Sequence, residues 1–331
     1  MTKILVIGGG AWGTAIADLL AGNKNEVVLC SNDPEIVAEI NKKNTNEKFL
    51  PGLKLNSRIK SVQDYSAVLS KSDFVFIVTP STATGEVFKK ISKLKYLAKG
   101  QKNCVFVICS KGIEQASLKL LSDSFERITE IKNYAVLSGP NFATEVANKI
   151  PSITTIASKN KKLAQKVIAL LNNENFKASY FKDPRTVEIC GVVKNILAIG
   201  CGIVDGLELG VNTKSALIMK GISEIQMICK KLKASDEVNH AAGFGDIFLT
   251  CSSSKSRNNN LGNLLASGKS YSQILQETKK TYEGVASASA ISAIAKKLKL
   301  KLDLCEAINE IITKKISPKE IRNKIVKAIL N

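Results

Sequence analysis

Apolar residues follow two different rhythms along this chain, and the change between them falls near the middle. In the first half, short continuous apolar runs alternate with stretches in which apolar residues recur every third or fourth position. Ile4–Ile7, Val27–Cys30, Phe74–Thr79, Cys104–Cys109, Ala135–Leu137 and Ile153–Ala157 read as buried strands. Ile16, Ala17, Leu19 and Leu20, and then Lys89–Leu97 and Leu118–Ile128, read as helices between them. Such alternation predicts an α/β domain built on a doubly wound parallel sheet. From Thr186 onward the strand pattern disappears and helical periodicity takes over, beginning with a long aliphatic segment, Val187–Ile203. The predicted boundary lies at Asp183-Pro184-Arg185, giving an α/β domain over 1–185 and an all-α domain over 186–331. Asn212 is expected to cap a helix over Thr213–Leu232, and Ser317-Pro318-Lys319-Glu320 is a capping box with proline at the first helical position. No internal repeat or low-complexity segment is evident.

The most specific local signal is the junction of the first strand and first helix, Gly8-x-Gly10-x-x-Gly13 with Ala11 and Trp12 inside it. Directly after a strand and opening a helix, this spacing predicts a dinucleotide site. Gly8 permits the tight turn, Gly10 lets the backbone approach a pyrophosphate, and Gly13 lets helix and strand pack closely, with the phosphates at the positive helix end. After the second strand come Cys30, Ser31, Asn32, Asp33 and Pro34. Asp33 can accept a bond from a ribose 2′-hydroxyl, which selects NAD, or can cap the helix that Pro34 begins. The cap reading is favoured and leaves NAD or NADP open.

Polar residues gather just past the later strands, at Thr79-Pro80-Ser81, Ser110-Lys111-Gly112 and Ser138-Gly139-Pro140-Asn141. Carboxyl ends of strands are where open sheets bind ligands, so Lys111 is expected to project into a crevice. In the helical half, Lys194 and Asn195 sit among Ile189, Val192, Val193, Ile196, Leu197 and Ile199, with almost no polar face around them. A desolvated lysine is a candidate for proton transfer; the plainer reading is one that snorkels to the surface. Another cluster follows: Gly243-Phe244-Gly245-Asp246, Leu249-Thr250 and Ser256-Arg257-Asn258. Ser256 reads as an N-cap, which puts Arg257 and Asn258 in a first turn suited to an anion; a plain solvated turn is the alternative.

With 331 residues, 44% hydrophobic and 23% charged, the chain can bury its own cores, but its formal net charge of +19 invites a nucleic-acid or membrane-surface reading. The distribution argues otherwise. The excess is spread over both halves, and of 48 basic residues only Arg58, Arg127, Arg185, Arg257 and Arg322 are arginine, the residue suited to planar phosphate and base recognition. A solvated lysine surface, and no nucleic-acid partner, is the expectation. Eight scattered cysteines with no C-x-x-C spacing suggest buried thiols in a reducing, cytoplasmic compartment. The single histidine, His240, reads as structural. The N-terminus fits strand, turn and helix better than a signal peptide, and the apolar runs are strand length, below the roughly 18 residues a membrane span needs.

Together these motifs resemble the bacterial NAD(P)-dependent glycerol-3-phosphate dehydrogenases over almost the whole chain. The resemblance rests on the glycine turn with Trp12, Ser110-Lys111-Gly112, the Ser138–Ala147 segment, Val193-Lys194-Asn195-Ile196, Gly243-x-Gly245-Asp246 with Leu249-Thr250-Cys251, Ser256-Arg257-Asn258, and Glu283-Gly284. It implies a Rossmann domain followed by a helical domain like that of 6-phosphogluconate dehydrogenase. The implied activity is reversible hydride transfer between NAD(P)H and dihydroxyacetone phosphate, giving sn-glycerol 3-phosphate for phospholipid synthesis. Lys194 is then the acid/base, and Lys111 contacts substrate and cofactor. Asp246 and Asn195 orient the hydroxyls or Lys194. Ser256, Arg257 and Asn258 hold the substrate phosphate, with Arg257 also near the cofactor. Gly139, Asn141 and Ala143 line the same cleft, and Thr281 and Glu283 match nicotinamide-side contacts. No metal is needed, and a cytoplasmic homodimer is expected. Two positions depart from the pattern: Asn32 stands where NADP users often have a basic residue, and Ala11 replaces a frequent serine. The rival readings are a 3-hydroxyacyl-CoA or ketopantoate dehydrogenase, which needs no phosphate clamp, and a catalytically silent NAD-binding regulator, which needs neither Lys194 nor Arg257.

Overall fold

The structure is a computed structural model that describes residues 1–94, 104–114 and 117–330. The chain divides into two compact units: Met1–Glu114 with Leu121–Pro184, and Arg185–Asn331 with a short segment ending at Leu120.

In the first unit the apolar runs become strands, and most of their residues are buried. β1 (Lys3–Ile7), β2 (Glu26–Cys30), β3 (Ile59–Val62), β4 (Phe74–Ile77), β5 (Val105–Ile108), β8 (Tyr134–Ser138), β9 (Ser152–Ala157) and β10 (Phe176–Phe181) form one sheet. Two-residue strands β6 (Ile113–Glu114) and β7 (Lys119–Leu120) lie outside it. The order is β10-β9-β8-β5-β4-β1-β2-β3, with β1 in the interior, pairing in register with β2 (Ile4 with Val27) and β4 (Ile4 with Phe74). α1 (Ala11–Gly22) covers one face and presents Ile16 and Leu20, both fully buried, to a core that includes Val6, Leu29, Phe76 and Val107. Each such side chain contributes roughly 1.5–3 kcal/mol on burial. The remaining helices of this unit are α2 (Pro34–Lys43), α3 (Ser66–Leu69), α4 (Ser81–Lys93), α5 (Leu121–Thr129), α6 (Ala143–Ala147) and α7 (Lys161–Leu171).

The sheet is not wholly parallel as expected, since β8 and β9 run antiparallel. The connection between them holds only the five-residue α6, too little for a parallel crossover, whereas the eleven-residue α7 returns the chain to a parallel β10. Strands β3 and β10 escape the apolar-run criterion because polar residues interrupt them, as in IKSV and FKASYF. Of the helix expected over Lys89–Leu97, the part through Lys93 belongs to α4, and positions 95–97 lie outside the described residues.

The second unit is helical: α8 (Pro184–Gly206), α9 (Gly210–Lys231), α10 (Asp246–Ser252), α11 (Arg257–Ala266), α12 (Tyr271–Thr278), α13 (Glu283–Leu298), α14 (Asp303–Thr313) and α15 (Pro318–Leu330). Contrary to the reading that apolar runs stop at strand length, α8 is long and apolar enough to cross a membrane, and that stretch is entirely buried within the protein. Asn212 does not cap α9. The helix begins earlier, at Gly210, and Thr213 Oγ1 donates back to Leu209 O at 2.9 Å, closing a first turn that already includes Asn212. At α15 the capping box forms: Ser317 N donates to Glu320 Oε2 at 2.8 Å, and Glu320 N to Ser317 Oγ at 3.4 Å. Buried Glu224 of α9 accepts from the backbone N–H groups of Leu304 and Cys305 at 2.7 and 3.0 Å, tying α9 to the first turn of α14.

Candidate active site

In the first unit, β1 delivers the chain into the glycine turn. Gly8 has φ +128°, and a Cβ there would lie 2.6 Å from Val78 O. At Gly13 an added Cβ would collide with the carbonyl oxygen of Gly8, so helix and turn meet only without a side chain. Gly10 differs: an added Cβ would meet no protein atom within 4 Å. The open space lies at the N-terminus of α1, whose first N–H groups have no carbonyl partner within the helix. The residues present therefore fit a dinucleotide pyrophosphate, with Ala11 and Trp12 in that first turn.

At the end of β2, Asp33 is a helix cap: Oδ1 accepts Glu35 N at 3.0 Å, and Oδ2 is paired with Lys48 Nζ at 2.7 Å. That hydrogen bond to Lys48 holds the Asp33 carboxyl below its usual range. Asn32 is exposed beside it.

The polar groups past β4, β5 and β8 form one connected patch. Ser110 Oγ donates to Thr79 O at 2.6 Å and accepts from Thr84 Oγ1 at 3.1 Å. Lys111 Nζ and Asn141 N both donate to Gly139 O, at 3.3 and 2.9 Å, so residues from two separate motifs meet at one carbonyl. Asn141 Nδ2 donates to Ile153 O at 2.8 Å, while Asn141 Oδ1 and Ser138 Oγ are buried without a hydrogen-bond partner. Ala143 follows at the first position of α6.

In the second unit, Lys194 is 7% exposed and does not reach solvent by snorkelling. Its Nζ donates to Asp246 Oδ1 at 2.6 Å and to Thr250 Oγ1 at 2.9 Å. Asp246 opens α10 and Thr250 lies one turn on, where its hydroxyl also bonds back to Asp246 O at 2.6 Å. Asn195, next along α8, donates through Nδ2 to Gly191 O at 3.4 Å.

Ser256 is the N-cap of α11, its hydroxyl accepting from Asn259 N at 3.3 Å. Arg257 is exposed, and its Nη1 donates to Thr281 O at 3.4 Å. Asn258 is buried, with Oδ1 accepting from Gly284 N at 3.1 Å, next to Glu283 at the start of α13. A Cβ on Gly284 would lie 2.9 Å from Asn195 O, and Asn259 Nδ2 bonds Cys251 O at 3.4 Å beside Thr250. Lys194, Asn195, Asp246, Arg257, Asn258, Thr281 and Glu283 are thus linked through backbone and side-chain contacts within one unit. Thr250 is a further residue of the site, and its i, i+4 relation to Asp246 is the signal for it in the sequence. His240 Nδ1 accepts Gly243 N at 3.0 Å and holds the turn leading into Asp246, a structural role, and burial pushes its pKa down.

A glycine-turn Rossmann sheet in one unit and a buried, ion-paired lysine in a helical unit fit an NAD(P)-dependent oxidoreductase. Residues 3–164 match the N-terminal model of NAD-dependent glycerol-3-phosphate dehydrogenase, and residues 183–323 its C-terminal model. Glycerol-3-phosphate dehydrogenase [NAD(P)+] of Erythrobacter litoralis is 37% identical over 94% of this chain and 92% of its own length. That of Francisella tularensis subsp. novicida is 37% identical over 98% and 97%. The crystal structure of glycerol-3-phosphate dehydrogenase from Coxiella burnetii superposes with a TM-score of 0.90 at 31% identity, covering 98% of this chain and 99% of that one. The chain belongs to the NAD-dependent glycerol-3-phosphate dehydrogenase family.

Proposed function

We propose that the protein interconverts dihydroxyacetone phosphate and sn-glycerol 3-phosphate, with Lys194 as the proton donor and acceptor. The observation that carries this assignment is the buried Lys194 ammonium held by Asp246 and Thr250. A nicotinamide dinucleotide, when bound, supplies or accepts the hydride at C2. Lys194 Nζ gives its proton to the ketone oxygen during reduction and takes it back from the hydroxyl in the reverse direction. Asp246 and Thr250 fix the direction of Nζ, and the carboxylate balances its charge in a buried site. Arg257 and the first turn of α11 hold the substrate phosphate, with Asn258 Nδ2 as a further donor, since its Oδ1 is committed to Gly284. Asn195 orients the substrate hydroxyls. On the first unit, the N-terminus of α1 holds the pyrophosphate, Lys111, Gly139 and Asn141 serve the substrate, and Lys111 and Ala143 the cofactor. Thr281 and Glu283 serve the nicotinamide side.

The product is a backbone for glycerophospholipids. Eight buried cysteines, none in a disulfide, support a reducing, cytoplasmic setting. The proposal includes a homodimer, for which sedimentation equilibrium is the test. Oxidation of NADH and NADPH by the purified protein should require dihydroxyacetone phosphate; absence of ketone-dependent turnover with both cofactors would sink the reading.

A further inference from the structure

Two segments flank the dinucleotide turn and carry opposite charges to one point. The end of β2 is held there by Gly8 N donating to Cys30 O at 2.9 Å, and Ser31 packs against Gly9 so closely that a Cβ on Gly9 would strike its side chain. The loop after α2 is held to the same turn by buried Asn46, whose Nδ2 donates to Gly9 O at 3.0 Å and Thr14 Oγ1 at 2.8 Å. Between these anchors Asp33 and Lys48 form their ion pair. The segment that follows β2, here Ser31, Asn32 and Asp33, is where a Rossmann fold meets the 2′ position of the adenosine ribose.

We propose that Lys48 and Asp33 together read that position, Asp33 accepting from the 2′-hydroxyl of NAD(H) and Lys48 turning to the 2′-phosphate of NADP(H). This rests on the dinucleotide reading of the turn. Asp33 alone repels a 2′-phosphate, and no arginine stands near it in sequence. Lys48 supplies the missing cation from a different segment. Its side chain is 59% exposed, so the ammonium moves from carboxylate to phosphate without being stripped of water. The exposed Asn32 amide beside Asp33 adds a neutral donor and no competing charge.

The test is direct binding, without substrate. Trp12, the only tryptophan, lies in the first turn of α1 and reports dinucleotide binding through its fluorescence. Titration with NADH and NADPH gives the ratio of the two Kd values, and calorimetry with ADP-ribose and its 2′-phosphate gives the same ratio without the nicotinamide. Lys48→Ala should shift the ratio by about tenfold against the 2′-phosphorylated ligand. Asp33→Asn, which keeps a good helix cap, should shift it the other way. An unchanged ratio in both variants, or equal weakening of both ligands, would overturn the assignment while leaving the dehydrogenase reading intact. Wild-type protein that binds neither dinucleotide would overturn both.

Discussion

The Nζ of Lys194 lies 2.6 Å from Oδ1 of Asp246, and the two side chains are 9% and 1% exposed. A buried ammonium held this way donates a proton from a fixed position, and its loss removes the cation bonded to a buried carboxylate. Lys194→Ala should lower kcat for dihydroxyacetone phosphate reduction by at least roughly hundredfold. Quenching of Trp12 by NADH should persist, because the glycine turn is untouched. Loss of both signals together would point to unfolding and not to missing acid/base chemistry.

Asp246→Asn separates the pair from the other side. Asparagine keeps the shape and a hydrogen-bond acceptor but removes the negative charge 2.6 Å from the ammonium. Breaking one side of a buried pair costs about 3–5 kcal/mol, so the helical unit should melt earlier as well as turn over more slowly. An unchanged thermal midpoint would remove Asp246 as the charge partner.

Arg257 is placed differently: exposed, at the first position of α11, with a single 3.4 Å bond to Thr281 O. Its replacement should leave stability unchanged within about 0.5 kcal/mol. Arg257→Ala should raise KM for the phosphorylated ketone by about tenfold or more, with a smaller change in kcat. Steady-state kinetics with an unaltered KM would remove Arg257 from the phosphate clamp.

The glycine turn was legible in sequence because its function depends on spacing alone: Gly8, Gly10 and Gly13 each answer a separate steric demand within six positions. Lys194 was legible as an anomaly, a charge with no polar face around it. Its partner was not, since Asp246 stands 52 residues further on and only packing of α10 against α8 brings them together. Lys48 was hidden for the same reason, as a lysine among 43 whose neighbour Asp33 lies on another segment. The antiparallel β9 was missed because apolar runs record burial and not direction. The early start of α9 was missed because a good capping residue, Asn212, stood inside a helix that could form without it.

Gly10 and Gly13 should part company on substitution. Alanine at Gly10 meets no protein atom within 4 Å, and the residue's backbone, at φ −73° and ψ −179°, suits any side chain. Gly10→Ala should therefore cost no more than about 1 kcal/mol in stability, while its methyl occupies the space the pyrophosphate needs and weakens NADH binding at least about tenfold. Gly13→Ala drives a methyl into the Gly8 carbonyl and should destabilise the first unit by ~3 kcal/mol or more. Paired denaturation and fluorescence titrations check both, and equal stability losses would contradict the assigned roles.

His240 gives the helical unit a pH dependence that one substitution can isolate. Burial holds the imidazole pKa below its ordinary 6.5, and Nδ1 is occupied as an acceptor of Gly243 N, so the native state keeps the neutral ring. The unfolded chain takes up a proton below pH 6.5, and the native state does so only at lower pH. The stability that neutral His240 contributes is therefore fully present above that value and is lost as pH falls through the folded pKa. Asp18 and Glu224 oppose this, because burial raises both carboxyls and so favours the folded state at low pH, and a comparison of variants is needed. His240→Asn keeps an acceptor for Gly243 N at a position where asparagine caps well. Because His240 is the only histidine, the wild-type thermal midpoint should fall more steeply than that of the variant between neutral pH and pH 5. Parallel curves would mean that the folded imidazole titrates like a free one.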